Sequence, residues 1–379
     1  MDRPLGRLSR LAAAALALPL LVLAPATARA DPRAVATDSR PIALPTDAPD
    51  SYRLERTAPG STFHVALWYV GAGDSVGEGV RLTIGTTPTG TGCGSGAVFR
   101  PTLGEPAPLL YTTASTWTDE PDHPCGTADE LHVTVGVPSD PADRGRDAVL
   151  LVHEEPPLSS YSFDLLREPP APTWTPLDAE PEPDAVTPGT TPADAPVLGP
   201  GSHAFAVRPG RTALVAVPLD WDQSLRAQVD GSPEATVTIL GPLLGADVAS
   251  SGPGRAQSYV TSYLHRDSFD PTRSGASLAG VRYVLVDLPA ESPATEVTLS
   301  LAVDGTAGDG VPDYGSLADS PPAQPAPDDT AEDTQDPSPA AWIGAGVALA
   351  LVAAALVVRA RRARRRRRPT RRGARVRGR

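Results

Sequence analysis

One uncharged stretch near the C-terminus constrains this chain more than any other feature. Residues 340–358 read AAWIGAGVALALVAAALVV, nineteen residues without a charged side chain. As an α-helix rising about 1.5 Å per residue, the stretch is roughly 28 Å long and matches the ~30 Å hydrocarbon core of a bilayer. Residues 359–379 follow directly with thirteen arginines and no acidic residue. The sequence therefore predicts one transmembrane helix followed by an Arg-rich tail.

The N-terminus has the features of a secretory signal peptide over residues 1–30. Three arginines precede an apolar run at 11–24, and Ala28-Arg29-Ala30 supplies a small-x-small cleavage pattern. We predict cleavage before Asp31, with an uncleaved membrane anchor as the alternative. Together with the C-terminal helix, this signal places residues 31–339 outside the cell membrane. The Arg-rich tail remains in the cytoplasm, where it contacts anionic lipid.

Charge is divided sharply along the chain, whose formal net charge is −12. Residues 31–339 contain 44 acidic residues and 16 arginines, a net charge of −28. A body this acidic repels phosphate groups, so we expect no nucleic-acid partner. The remaining partners that we expect are membrane lipid, through residues 340–358 and the tail, and an envelope protein.

The first half of the exported part has the pattern of β-strands. After a polar leader at 31–49, residues 50–168 contain apolar side chains that alternate with polar ones, as in strands that bury one face. We predict an antiparallel β-sandwich domain there. The alternating side chains are Val65, Leu67 and Tyr69; Val80, Leu82 and Ile84; Leu131, Val133 and Val135; and Tyr161, Phe163 and Leu165.

Proline-rich segments delimit a second compact region. Residues 169–200 contain ten prolines and are predicted to be an extended linker. Residues 305–339 are rich in proline and aspartate, which predicts a stalk that does not fold. Between them, 201–304 is predicted to be a second β-sandwich domain with strands at His203–Arg208, Thr212–Pro218, Leu225–Val229, Thr236–Leu240, Ser258–Leu264, Val281–Leu288 and Val297–Val303.

The predicted fold class is therefore all-β, with two antiparallel β-sandwich domains of jelly-roll or immunoglobulin-like type in tandem, plus one C-terminal transmembrane helix. The two regions also have similar segments, which indicates duplication. Pro59–Leu67 aligns with Pro209–Val217. Farther along, Val149–Val152 followed by Tyr161–Leu165 aligns with Tyr283–Val286 followed by Val297–Leu301.

One part of the second region resembles a known family. Residues 207–212 (VRPGRT) and 215–225 (VAVPLDWDQSL) resemble the opening of pre-peptidase C-terminal-type β-sandwich modules. They are also similar to the β-rich region that follows von Willebrand factor A domains in membrane proteins of high-GC Gram-positive bacteria. The resemblance covers about a third of the chain, which lacks the Asp-x-Ser-x-Ser motif of the A domain itself. It implies an accessory or binding role without catalysis.

The two cysteines of the chain, Cys93 and Cys125, both lie in the exported region. An even number of cysteines in an oxidising compartment predicts a disulfide, which would stabilise the fold by roughly 3–4 kcal/mol on the chain-entropy model. A pair of free thiols is the alternative. A redox role is disfavoured because the two residues do not form a Cys-x-x-Cys motif.

Several motifs bear on catalysis or metal binding. Residues 73–77 read GDSVG and match the Gly-x-Ser-x-Gly pattern of serine hydrolases, with Ser75 as the nucleophile. Strands are predicted on both sides, so a glycine-rich hairpin loop is the preferred interpretation. His123, His132 and His153 do not have the spacing of a metal site. Residues 304–313 resemble an Asp-rich calcium loop but lack its alternating ligands and closing Glu, which leaves Ca²⁺ binding open.

The sequence thus predicts a non-enzymatic, membrane-anchored protein that binds or scaffolds a cell-envelope partner and needs no cofactor. An anchored serine hydrolase that uses Ser75 is one alternative. The other is a carbohydrate-binding surface module, which would require exposed, coplanar aromatic side chains. For Trp68 and Trp221 we predict packing in the core, and for Trp174 a contact within the linker.

Overall fold

The computed structural model describes residues 38–73, 76–100, 108–120, 122–267, 270 and 272–314. The predicted signal peptide, transmembrane helix and Arg-rich tail lie outside these residues. The described residues form antiparallel sheets with two short α-helices and three short 3-10 helices, which confirms the all-β class. In this part of the chain no helix combines the length and apolarity needed to cross a membrane.

Two sheets make up the first half of the described chain. Sheet 1 has the strand order β2-β7-β4-β5, and sheet 2 has the order β1-β8-β3-β6. Two short helices, α1 (Pro124–Thr127) and α2 (Ser160–Leu165), and a 3-10 turn at Pro141–Asp143 accompany them. The strands are β1 (Asp38–Ala43), β2 (Asp50–Glu55), β3 (Thr62–Val70), β4 (Gly77–Gly85), β5 (Gly94–Arg100), β6 (Leu109–Ser115), β7 (Glu130–Val135) and β8 (Asp147–Glu155).

Two further sheets make up the second half. Sheet 3 has the order β11-β16-β13, and sheet 4 has the order β14-β15-β12-β17-β10-β9. Short 3-10 turns lie at Tyr263–Asp267 and Ser274–Ser277. The strands are β9 (Asp184–Ala185), β10 (Gly201–Val207), β11 (Ala213–Leu219), β12 (Ser224–Asp230), β13 (Thr236–Leu240), β14 (Ser250–Gly252), β15 (Arg255–Gln257), β16 (Gly280–Asp287) and β17 (Thr295–Asp304).

Each half has its own apolar core between its two sheets. The side chains that alternate in β3, β4 and β7 are buried together between sheets 1 and 2, as their pattern predicts. Between sheets 3 and 4, apolar side chains of β11 and β16 meet those of β10, β12 and β17. We call sheets 1 and 2 the first pair, and sheets 3 and 4 the second pair.

The two pairs pack on each other through a further apolar layer between sheets 2 and 3. Leu214 of β11 and Leu285 of β16 meet Leu109 of β6, and Trp68 and Tyr111 pack against them. A smaller cluster joins Ala66 and Leu151 of sheet 2 to Leu243 and Leu278. Strands β3 of sheet 2 and β11 of sheet 3 are thus buried on both faces, and the described residues lie within one compact unit.

The Pro-rich linker is not a free spacer. Its strand β9 pairs in parallel with β10, and bridges join Gly189 to Leu214 and Val197 to Ala216 of β11. These contacts cover backbone groups at the edges of sheets 3 and 4, where unpaired strands invite association with other chains. The first residues of the predicted stalk are also ordered, because residues 305–314 continue from β17 and end with Tyr314 half-buried.

Two predicted strands are wrong. Residues 160–165 form α2, which begins where the Ser159 hydroxyl accepts a hydrogen bond from the N–H of Ser162 and caps the helix. Tyr161 and Leu165 are exposed, although their alternation resembles that of a strand. Ser258–Leu264 is not a strand either, because β15 ends at Gln257, residues 258–262 have no regular secondary structure, and a 3-10 turn begins at Tyr263. At the start of this turn the Ser262 hydroxyl accepts a hydrogen bond from the N–H of Leu264 at 3.3 Å.

Candidate interaction site at the junction of the two pairs

A buried polar cluster connects the two pairs through the carboxylate of Glu155, the last residue of β8. Its Oε2 accepts hydrogen bonds from His64 Nε2 at 3.0 Å and from Arg266 Nε at 2.7 Å. Its Oε1 accepts from Arg266 Nη2 and from the Tyr314 hydroxyl. We call these four residues the Glu155 cluster. One carboxylate therefore joins the first pair, the second pair and the segment that leads towards the predicted stalk.

Burial sets the charges in this cluster. It lowers the pKa of Arg266 to about 9, which leaves the guanidinium charged at neutral pH. Burial, and secondarily the Arg266 charge, lowers the pKa of His64 to about 3, so its imidazole is neutral. Burial also raises the pKa of Tyr314 to about 12 and keeps its phenol protonated. Because the Glu155 oxygens act as acceptors, the neutral His64 ring must carry its proton on Nε2.

Aromatic rings surround the cluster. The Arg266 guanidinium lies 3.6 Å from the centroid of the Tyr263 ring, which is a close cation–π contact. Tyr263 in turn makes edge-on contacts with Tyr314 at 6.4 Å and with Phe163 of α2 at 6.2 Å. These rings connect the buried ion pair to the protein surface at α2.

A groove of about 720 Å³ lies at the surface next to these rings. Its walls include residues of α2, the start of the linker, and residues 309–313 after β17. Asp222, Thr261 and Ser262 of the second pair complete it. We call this the junction groove, since both pairs and the segment after β17 contribute to it.

The junction groove is acidic with apolar positions along its walls. Among the described residues that line it, Glu168, Asp222, Asp309 and Asp313 carry carboxylates, and Arg167 is the one basic residue. Apolar side chains are unusually exposed here. The exposed fraction is 63% for Leu165 and 52% for Val311 in the walls, and 43% for Phe163 on the adjoining face of α2. Large exposed apolar side chains grouped in one groove are typical of an interaction surface.

The structure contains the predicted disulfide between Cys93 and Cys125. Their Cα atoms are 5.2 Å apart, and the two cysteines are 32 positions apart in the sequence. The bond connects the segment before β5 to α1, where the His123 ring accepts a hydrogen bond from the Cys125 N–H. Both cysteines are buried in the core of the first pair.

The hydrolase alternative rests on Ser75, which lies outside the described residues. In the described residues that precede it in the sequence, the N–H groups of Ala72 and Gly73 donate hydrogen bonds to the Asp143 carboxylate at 2.6 and 3.0 Å. Asp143 also pairs with buried Arg100 at 3.3 Å. This carboxylate therefore fixes the backbone at Ala72 and Gly73 and neutralises a buried guanidinium.

The three histidines weighed as metal ligands have different surroundings. His123 caps α1, His132 lies 3.0 Å from Glu130, and His153 stacks on His64 across β3 and β8. In the described part of the chain, no group of three or more His, Cys, Asp or Glu residues is arranged to hold a metal ion. In the segment weighed for calcium, Asp304 accepts two hydrogen bonds from Arg226, at 2.7 and 2.9 Å.

The described tryptophans do not form an exposed platform for sugars. Trp221 is 92% buried, and Trp68 packs between sheets 2 and 3. Trp174 is half-buried beneath the Arg255 guanidinium, which lies 5.1 Å from the ring centroid. Trp117, at the end of β6, is half-buried.

Sequence reasoning missed the Glu155 cluster and the other buried ion pairs. In the second pair of sheets, Arg282 Nε donates to Asp247 Oδ2 at 2.7 Å, and both side chains are fully buried. Burial raises the pKa of Asp247, while Arg282 opposes that rise. The available signal was a charged residue inside an apolar strand, as with Arg282 in GVRYVLVD.

No protein-family model matches the chain, and no curated protein is significantly similar to it.

Proposed function

We propose that this chain is a single-pass membrane protein that exposes residues 31–339 outside the cell and binds a cell-envelope protein, without enzymatic activity. In this proposal the two pairs of sheets are two β-sandwich domains, and residues 340–358 are the transmembrane anchor. The Arg-rich tail lies on the cytoplasmic leaflet. The resemblance to pre-peptidase C-terminal-type modules agrees with a non-catalytic role.

The junction groove is the observation that carries the binding role. It exposes apolar side chains in a concave surface, and its lining residues Ser262 and Asp313 directly precede Tyr263 and Tyr314, whose rings contact each other. Such a preformed surface binds a partner with little loss of conformational entropy. The Cys93–Cys125 disulfide supports export, since disulfides persist in oxidising compartments.

A topology experiment on the full-length chain in intact bacterial cells tests this proposal. Without reductant, a maleimide–polyethylene glycol reagent should not modify the denatured chain, and after reduction it should modify two thiols. Externally added protease should release the folded part and leave a C-terminal tag protected. Two free thiols, or a chain that the external protease cannot reach, would contradict the proposal.

A further inference from the structure

We propose that the junction groove binds a basic, amphipathic segment of a partner protein, in which arginine or lysine alternates with an aliphatic or aromatic residue. This inference rests on the proposed binding function and specifies the chemistry of its partner. The groove supplies both kinds of contact that such a segment needs, carboxylates for its cations and apolar walls for its anchor residues.

The negative charge of the groove determines that the partner must carry positive charge. Four carboxylates line the groove against one arginine, Arg167. Arg266, whose neighbours Tyr263 and Ser262 lead to the groove, is buried and already paired with Glu155. The whole exported part is strongly acidic, so its long-range field also attracts a basic partner and raises the association rate.

The apolar walls determine the second property of the partner. Leu165 of α2 and Val311 of the segment after β17 both line the groove, and both are more than half exposed. A purely basic segment would leave both side chains in water, whereas an aliphatic or aromatic residue would cover them. Energetically important residues of interfaces are commonly such anchors surrounded by polar contacts.

The same lining disfavours other ligands. Phosphorylated peptides and anionic lipid headgroups would meet Glu168, Asp222 and Asp309 with charge of the same sign. A neutral apolar peptide would bury these carboxylates without a partner, which costs free energy.

Peptide binding to the full-length chain in nonionic detergent tests the proposal. The probe is a fluorescent peptide that alternates arginine with leucine, measured by anisotropy against empty micelles. Two matched probes replace every leucine with serine or every arginine with glutamine. We expect the Arg/Leu probe to bind at least about tenfold more tightly than either matched probe, because both kinds of contact contribute.

Variants locate the binding site. Asp222→Asn/Asp309→Asn should weaken the Arg/Leu probe about tenfold, as expected for the loss of two charge pairs in a concave site. The matched control, Asp119→Asn/Glu120→Gln, removes the same charge from an exposed loop of the first pair and should change the affinity less than about twofold. Leu165→Ser should weaken binding as well, whereas Val197→Ser at another exposed apolar position should not.

Equal weakening by groove and control variants would overturn the proposal, because binding would then follow overall charge. Equal binding of all three probes would overturn it too. Circular dichroism and thiol titration of each variant verify folding. If the topology experiment succeeds and the peptide experiment fails, the proposed function stands but the groove is not its binding surface. If only the topology experiment fails, the groove still binds a basic segment, but the protein is not exposed outside the cell.

Discussion

The two pairs of sheets stabilise similar cores by different means. The first pair contains a disulfide and the buried Arg100–Asp143 ion pair. The second pair has no cysteine in its sequence and contains the fully buried Arg282–Asp247 ion pair. A disulfide acts largely by restricting the unfolded chain, whereas a buried ion pair acts in the folded state and is costly when one partner is lost. Reductant therefore acts through the disulfide of the first pair, whereas substitution of Arg282 or Asp247 acts through the ion pair of the second pair.

The two pairs also differ in the order of their strands. β3 pairs with β8 through Val65 and Val152, and β11 pairs with β16 through Val215 and Val284. These pairings agree with the alignment of Pro59–Leu67 with Pro209–Val217 and with that of Val149–Val152 with Tyr283–Val286. However, β3 is an inner strand of sheet 2, whereas β11 is an edge strand of sheet 3 that the linker covers. The alignment of Tyr161–Leu165 with Val297–Leu301 fails, since α2 occupies the place that β17 has in the second region. Duplication of the two regions remains a prediction.

The largest effect on stability should come from the buried Arg282–Asp247 ion pair of the second pair of sheets. Arg282→Met leaves Asp247 buried without its cation, which should lower the free energy of unfolding by about 3–5 kcal/mol. Arg226→Met is the matched control, because the Asp304 partner of Arg226 is 44% exposed, and it should cost about 1 kcal/mol or less. Urea denaturation measures both. Equal losses in the two variants would contradict this assignment.

Loss of the disulfide should have the next largest effect. Cys93→Ser/Cys125→Ser should lower the free energy of unfolding by roughly 3–4 kcal/mol, because the unfolded chain regains the freedom of a loop of about 30 residues. Reductant should give the same loss in the natural chain and none in the double variant. A reductant effect that persists without the cysteines would show that the disulfide is not its cause.

The junction between the pairs should respond more weakly to a single missing atom. Tyr314→Phe removes the hydroxyl that donates to Glu155, which should cost about 1.5–3 kcal/mol, as for hydrogen bonds to charged groups. Tyr161→Phe is the control, since Tyr161 is 74% exposed on α2. If both variants unfold at the same denaturant concentration as the natural chain, Tyr314 does not contribute to the junction.

Per pH unit, the smallest effect comes from the titration of His64. The pKa of His64 is near 6.5 in the unfolded chain and about 3 in the folded one, so below pH 6.5 the unfolded chain binds a proton that the folded chain does not. Stability should therefore fall from pH 6.5 towards pH 4, with His64 contributing at most about 1.4 kcal/mol per pH unit. His64→Gln keeps a donor towards Glu155 and should reduce this slope, although His265, whose pKa burial also lowers, still contributes. An unchanged slope would contradict the role of His64.

The sequence was sufficient to predict strands and the disulfide, because these depend on local alternation and on cysteine count. It also contained a signal for the middle layers. Ala66 and Trp68 of β3 lie between the alternating Val65, Leu67 and Tyr69, so residues 65–70 form an unbroken apolar run with no polar face. Such a run indicates burial on both sides but does not specify which sheet covers the second face.

The Glu155 cluster was beyond sequence reasoning for a physical reason. Its contacts join residues 91, 111 and 159 positions apart, and each residue alone resembles an ordinary polar residue. The helix α2 was missed because three apolar residues at alternate positions fit a strand, while the Ser159 cap that starts the helix is a single side-chain contact. The groove follows from both features and was therefore also missed.

We infer that the apolar layer between sheets 2 and 3 and the Glu155 cluster make the two differently stabilised pairs unfold as one unit. Hydrogen–deuterium exchange of the full-length Cys93→Ser/Cys125→Ser variant tests this inference. We predict that the loss of the disulfide in the first pair lowers the protection of β12 and β16 in the second pair as much as that of β4 and β7. Reduced protection in β4 and β7, with β12 and β16 unchanged, would contradict the claim and define two independent domains.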